Sequence, residues 1–160
     1  MSTSSIRAVI NGIHVERTIP VRLTLAEFLR DTLGMTGTKV SCELQVCGVC
    51  TVLVDGGPVS ACAYLAVDID GRELTTIEGL ADHDALHPLQ EAFAAEFALQ
   101  CGYCTPGFIM CAVPFVEEHP DPTDDEVIEY LDGNICRCTG YRSIVAAVQR
   151  AAREIAERSA

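Results

Sequence analysis

Eight of the nine cysteines in this chain fall into two groups of four, and no other feature narrows its fold as far. Cys42, Cys47 and Cys50 stand in C-x4-C-x2-C spacing, with Cys62 beyond them. Cys101 and Cys104 form C-x2-C, Cys136 and Cys138 form C-x-C, and 31 residues separate the two pairs. Met1–Val15 does not read as a secretory signal: Arg7 comes early, and Asn11, Gly12 and His14 cut the apolar stretch. No twin-arginine pair is present, and the expected location is the cytoplasm. There a cysteine-rich chain binds metal more often than it forms disulfides. The odd thiol is Cys111, placed on an apolar helix with Ile109, Met110 and Val113, and it reads as an inert core residue.

With 160 residues and 49% hydrophobic content, the chain can form one ordinary domain or two small packed ones. Eleven basic residues against 23 acids, a net charge of -12, argue against nucleic-acid binding. Much of the excess lies in Glu117, Glu118, Asp121, Asp124, Asp125, Glu126, Glu129 and Asp132, a run read as a solvated face. Phe97–Val116 carries no charge over 20 residues, enough on paper to cross a bilayer. Gly102, Pro106, Gly107 and Pro114 break it, so it reads as buried structure without a membrane span.

Periodicity changes along the chain. Ile6–Ile10 and Ile13–Ile19 alternate around Asn11-Gly12, a strong hairpin signal. Thr24 opens a helix with Glu27 as its capping-box partner, and Gly34 closes it. Thr51–Val54 and Val59–Ala63 read as strands around Asp55–Pro58, and Leu65–Ile69 and Leu74–Ile77 as two more. After Glu78 the period is helical. Pro88 starts a helix with Leu89, Phe93, Phe97 and Ala98. Thr105-Pro106 starts another, which Pro114 should kink or end. Thr123 with Glu126 caps a third, stopping at Gly133. The last runs from about Tyr141 with Ile144, Val145, Val148, Ala152 and Ile155 on one face. The expectation is an α+β fold class: a small sheet domain at 1–78, then an all-helical bundle at 79–160, with the linker at 77–87.

The triple Cys42, Cys47, Cys50 has the spacing by which plant-type ferredoxins hold one edge of a [2Fe–2S] cluster. Three thiolates must converge while backbone N–H groups turn inward, and Gly34, Gly37 and Gly48 supply flexible points. Zinc, or reactive surface thiols, are the plainer readings. The second set sits beside helix starts, where unpaired N–H groups favour thiolate. Its spacing leaves open a cluster, a structural zinc or a redox-active C-x2-C disulfide. His14, His83, His87 and His119 are scattered without ligand spacing, and no nucleophile–base pair or phosphate loop stands out. The chain carries electron-transfer chemistry and no catalytic residue of its own.

Taken together, Gly37–Cys42 through Cys47–Val52, Gln100–Gly107 and Gly133–Tyr141 resemble the small iron–sulfur subunit of the molybdenum hydroxylases. That group includes xanthine oxidase, aldehyde oxidoreductase and aerobic carbon monoxide dehydrogenase. The resemblance implies a β-grasp ferredoxin-like domain and a four-helix domain, each with one [2Fe–2S] cluster. It implies cluster ligation by Cys42, Cys47, Cys50 and Cys62, and by Cys101, Cys104, Cys136 and Cys138. It further implies a molybdenum pterin on a large partner subunit, touched by Gln100 and Cys138, and FAD on a medium one. Electrons would run from the pterin through the second set, then the first, to FAD, within a dimer of heterotrimers. Where the family often has glycine, this chain has Ser41 and Gln45. A free-standing two-cluster ferredoxin and a zinc-stabilised interaction module are the alternatives.

Overall fold

Asn11 and Gly12 adopt φ of 50° and 76°, the left-handed pair that a two-residue type I′ turn requires. The computed structural model, which describes residues 2–82 and 85–159, joins β1 (Thr3–Ile10) to β2 (Ile13–Pro20) there, with Ile10 opposite Ile13. Asp55 and Gly56, at φ 50° and 80°, repeat the device between β3 (Thr51–Val54) and β4 (Gly57–Ser60). With β5 (Glu73–Thr75) the sheet order is β2-β1-β5-β3-β4. β1 and β5 run parallel at its centre, and the other pairings are antiparallel.

Three strand expectations need correction. The turn after β3 consumes only Asp55 and Gly56, so Gly57 and Pro58 belong to β4, which ends at Ser60 short of Ala63. Pro58 is tolerated because β4 is an edge strand. Leu65–Ile69 is not a strand: after one bridge between Leu65 and Thr24 it forms a 3-10 turn over Ala66–Ile69. Ala66 and Ile69, three residues apart, are both fully buried, and a turn of helix presents that spacing where a strand cannot. Ile77 likewise leaves β5 for a 3-10 turn over Ile77–Gly79.

The first helix starts as expected. Thr24 accepts from the Glu27 amide while the Glu27 carboxylate accepts from the Thr24 amide, a complete capping box. The short α1 (Leu25–Glu27) then widens into a π-helical turn, Phe28–Thr32, where the Leu33 amide reaches back to the Phe28 carbonyl. Leu25, Phe28 and Leu29 are fully buried against Ile6, Ile10, Val52 and Leu74 of the sheet.

Four helices follow among the described residues: α2 (Pro88–Ala95), α3 (Thr105–Glu118), α4 (Asp124–Tyr130) and α5 (Arg142–Ser159). The first of them is shorter than its apolar spacing suggests. Phe97, at φ 51°, is the left-handed residue after its end, with the Phe97 amide on the Ala94 carbonyl and the Ala98 amide on the Phe93 carbonyl. This is a Schellman ending with phenylalanine where glycine is usual. Phe97 is therefore 82% exposed and off the buried stripe. Pro114 does not end α3, which runs on to Glu118. Proline inside a helix costs about 3 kcal/mol, but Phe115 and Val116 beyond it are buried. Each such burial is worth roughly 1.5–3 kcal/mol, enough to offset the break. His83 lies outside the described residues, and every acidic residue from Glu117 to Asp132 is exposed.

β3 joins the two halves. Its four residues are all buried. Val52 and Val54 face the sheet's own core, while Leu53 packs with Phe108, Met110 and Val148 in the helical core. A strand covered on both faces reads as continuous apolar sequence. No helix among the described residues is long and apolar enough to cross a membrane.

Candidate iron–sulfur centres

The loop after Ser41 alternates left-handed residues, with Glu43 at φ 55° and Gln45 at φ 57°. That alternation turns successive amides to one side. The Leu44 and Val46 N–H groups both donate to the Cys42 sulfur at 3.4 Å. These amides, with that of Cys47, pull the Cys42 thiol down to about 6. Gln45 thus holds, without being glycine, a left-handed conformation that glycine adopts most readily. Cys47 and Cys50 are buried, and Cys42 and Cys62 half-buried. Desolvation pushes the Cys50 thiol up to about 12, so a positive metal centre must draw off its proton.

The second set is assembled from two segments. Cys104 immediately precedes α3, and Cys136 and Cys138 lie in the loop before α5. The Thr139 hydroxyl donates to the Cys136 sulfur at 3.2 Å and its amide at 3.5 Å. Burial works against the Cys136 thiolate, but these donors outweigh it and bring the thiol below its usual range. The Tyr141 hydroxyl accepts from the Cys136 amide at 3.0 Å. Cys104 is pushed up to about 12 by burial. Cys101 and Cys138 are exposed, with their sulfurs 3.7 Å apart. The Cys138 thiol is raised chiefly by its hydrogen bond to Cys101. Gln100 lies exposed beside them.

Within each set the thiols stand near one another. The Cys101 and Cys138 sulfurs are 3.7 Å apart, and Cys104 feels the charges of both Cys136 and Cys101. In the first set Cys50 feels both Cys62 and Cys47, and Cys42 feels Cys47. A single zinc needs four donors packed evenly around one point. A [2Fe–2S] cluster spreads four thiolates over two irons, so four cysteines gathered loosely around one place suit it. Among the described residues, no three or more His, Cys, Asp or Glu side chains converge on a single-ion site. The residues fit the binuclear group. Cys111 stands apart on α3, its thiol pushed up to about 11 by burial alone.

The two sets share a boundary. Cys47 lines the same cavity, about 260 Å³, as Cys101, Cys104, Cys136 and Cys138. The Ile135 amide donates to the Cys47 carbonyl at 3.0 Å, so one hydrogen bond links a first-set cysteine to the neighbour of Cys136. The sequence reading assigned no role to Tyr103, Asn134, Thr139 or Tyr141. Thr139 could have been suspected from its place one residue after Cys138. The partners of Tyr103 and Asn134 lie 63 and 86 residues away, beyond any local signal.

Residues 8–81 match a 2Fe-2S iron-sulfur cluster binding domain, and residues 76–149 a [2Fe-2S] binding domain. The chain is 49% identical over 150 residues to the nicotine 6-hydroxylase small subunit of Paenarthrobacter nicotinovorans, covering 94% of this chain and 90% of that one. It is 43% identical over 161 residues to the aldehyde oxidoreductase iron-sulfur-binding subunit of Escherichia coli K12, covering 91% and 70%. The crystal structure of quinoline 2-oxidoreductase from Pseudomonas putida 86 contains a chain that superposes with a TM-score of 0.93 at 44% identity, covering 98% of this chain and 97% of that one. With both cluster-binding domains matched in order and relatives of this identity spanning nearly its whole length, the chain belongs to the small iron–sulfur subunits of the molybdenum hydroxylases.

Proposed function

We propose that this chain conducts electrons from a molybdenum pterin on a large partner subunit to FAD on a medium one, by way of two [2Fe–2S] clusters. Cys42, Cys47, Cys50 and Cys62 hold one cluster; Cys101, Cys104, Cys136 and Cys138 hold the other. The gathering of four cysteines around one place in each set carries this reading. When bound, the clusters supply one-electron redox chemistry. The chain's residues supply the rest. Leu44, Val46 and Thr139 donate hydrogen bonds that stabilise thiolate charge, and buried Cys47, Cys50 and Cys136 keep water from the inner edges.

Electrons come in at the second set. Its exposed side, with Gln100, Cys101 and Cys138, faces the pterin, and exposed Phe97, Leu99, Tyr103, Ile135 and Tyr141 around it suit an apolar partner surface. They leave at the first set, where Leu44 is 76% and Val46 59% exposed. The first unit is a β-grasp fold and the second a four-helix bundle, divided at residues 78 and 79. The complex is a dimer of heterotrimers in the cytoplasm. Substrate chemistry belongs to the large subunit; the relatives' names, with nicotine and aldehydes among them, point to small organic molecules.

The test is stepwise reduction of the purified complex, followed by electron paramagnetic resonance with iron and acid-labile sulfide analysis. Two distinct [2Fe–2S] signals are expected, the second-set signal appearing first after substrate is added. Zinc in place of iron, or a single signal at full reduction, overturns the proposal.

A further inference from the structure

Two side-chain hydrogen bonds lock the first-set loop onto the two second-set segments. The Asn134 amide donates to the Gly48 carbonyl at 3.1 Å, and Asn134 is only 5% exposed. The Tyr103 hydroxyl, between Cys101 and Cys104, donates to the Val40 carbonyl at 2.6 Å, two residues before Cys42. Two glycines permit this closeness. A Cβ on Gly48 would stand 2.5 Å from the Asn134 amide nitrogen. A Cβ on Gly107, in the first turn of α3, would stand 2.4 Å from the Gly48 carbonyl oxygen and 2.7 Å from Val49 Cα. Backbone thus meets backbone where the two sets approach each other. Both hydrogen bonds end on carbonyls of the 40–48 loop and start from residues that flank second-set cysteines.

We infer that Asn134 and Tyr103 are positioning residues that set the separation of the two metal centres, through Gly48 and Val40. The inference rests on the two-cluster reading above. Neither side chain is an iron ligand in that reading. Each holds a loop whose cysteines are, and electron transfer between centres falls off exponentially with their separation. A buried amide whose acceptor is withdrawn loses a bond that water cannot replace, so the carbonyl and the amide hold each other in one geometry.

The experiment uses the whole complex, wild type against Asn134→Ala, Tyr103→Phe and the double variant. The readout is the magnetic splitting between the two clusters at full reduction, because dipolar coupling falls with the inverse cube of separation. The double variant is expected to lose the resolved splitting while each cluster keeps its own g values and full iron content. The single variants are expected to broaden it. Val116→Ala, a truncation in the helical core twelve residues beyond Cys104 and toward the far end of α3, should lower stability and leave the splitting intact. Unchanged splitting in an iron-replete double variant overturns the inference, as does equal loss in Val116→Ala. Should the double variant bind no iron, Tyr103→Phe, which removes one oxygen and leaves no cavity, decides in the same way. A wild-type complex without two cluster signals sinks the two-cluster reading itself, and that result is seen before any variant is compared.

Discussion

The two cysteine sets solve one problem by different means. The first is local: three of its cysteines lie within residues 42–50, and the loop's own amides, curled by Glu43 and Gln45, converge on the Cys42 sulfur. The second is made by packing. The start of α3 and the loop before α5 meet only because Phe108, Met110, Ile144 and Val148 share one core. A donor set made by a loop depends on backbone conformation; one made by helix packing depends on the core beneath it. Perturbations should separate the two.

The largest effect expected is from ligand removal. Cys47→Ala should cost half of the iron and one cluster signal, leaving the second set's signal in place. Cys136→Ala should remove the other signal and also lower the unfolding midpoint of the helical half, because metal binding and folding are coupled where packing brings the ligands together. Iron analysis with calorimetry checks both. Equal destabilisation by the two variants would erase the contrast drawn between loop and core.

Next in size is Thr139→Val. It removes the hydroxyl donor on the Cys136 sulfur at 3.2 Å. A hydrogen bond to a charged group is worth about 1.5 kcal/mol or more. Its effect on potential is only the difference between its strength in the oxidised and reduced states, on the order of tens of mV for a one-electron couple. The sign is downward, because a donor stabilises the more negative, reduced state. Redox titration should show the second-set potential falling and the first-set potential unmoved.

Cys111 sharpens the comparison as the thiol that belongs to neither set. Cys111→Ala should leave both signals intact and cost about 1 kcal/mol of stability. Burial pushes this thiol up to about 11, so the folded state favours its protonated form. The associated stability is whole below the ordinary thiol pKa of about 8.5 and is lost as pH rises toward the folded value. Alkylation of the holo-protein followed by mass spectrometry should find Cys111 unreactive at pH 7 and reactive only near the raised pKa or on unfolding.

The smallest effect tests backbone strain. Gln45→Gly and Phe97→Gly each put glycine at a positive φ now held by another residue. Each should gain roughly 0.5 kcal/mol, relief of left-handed strain less the entropy of glycine. For Gln45 the donors to Cys42 should survive, so the first-set potential should hold; denaturation curves and redox titration together check the pair.

The sequence by itself determined what depends on near neighbours. Asn11-Gly12 dictated a hairpin through φ, Thr24–Glu27 and Thr123–Glu126 dictated capped helix starts, and the spacing of Cys42, Cys47 and Cys50 described a loop that closes on itself. The same local logic erred where burial across the fold overrode it: Leu65–Ile69 turned helical because Ala66 and Ile69 share one buried side. At Pro114 it left a kink or an end open, and α3 does not end there because Phe115 and Val116 had a core to enter. Only the tertiary structure decided how the two sets face each other. The hydrogen bonds from Tyr103 to Val40 and from Asn134 to Gly48 join residues far apart in the chain. Neither carries a periodic or spacing signal, because each depends on where two separately formed loops come to rest once β3 is buried on both faces.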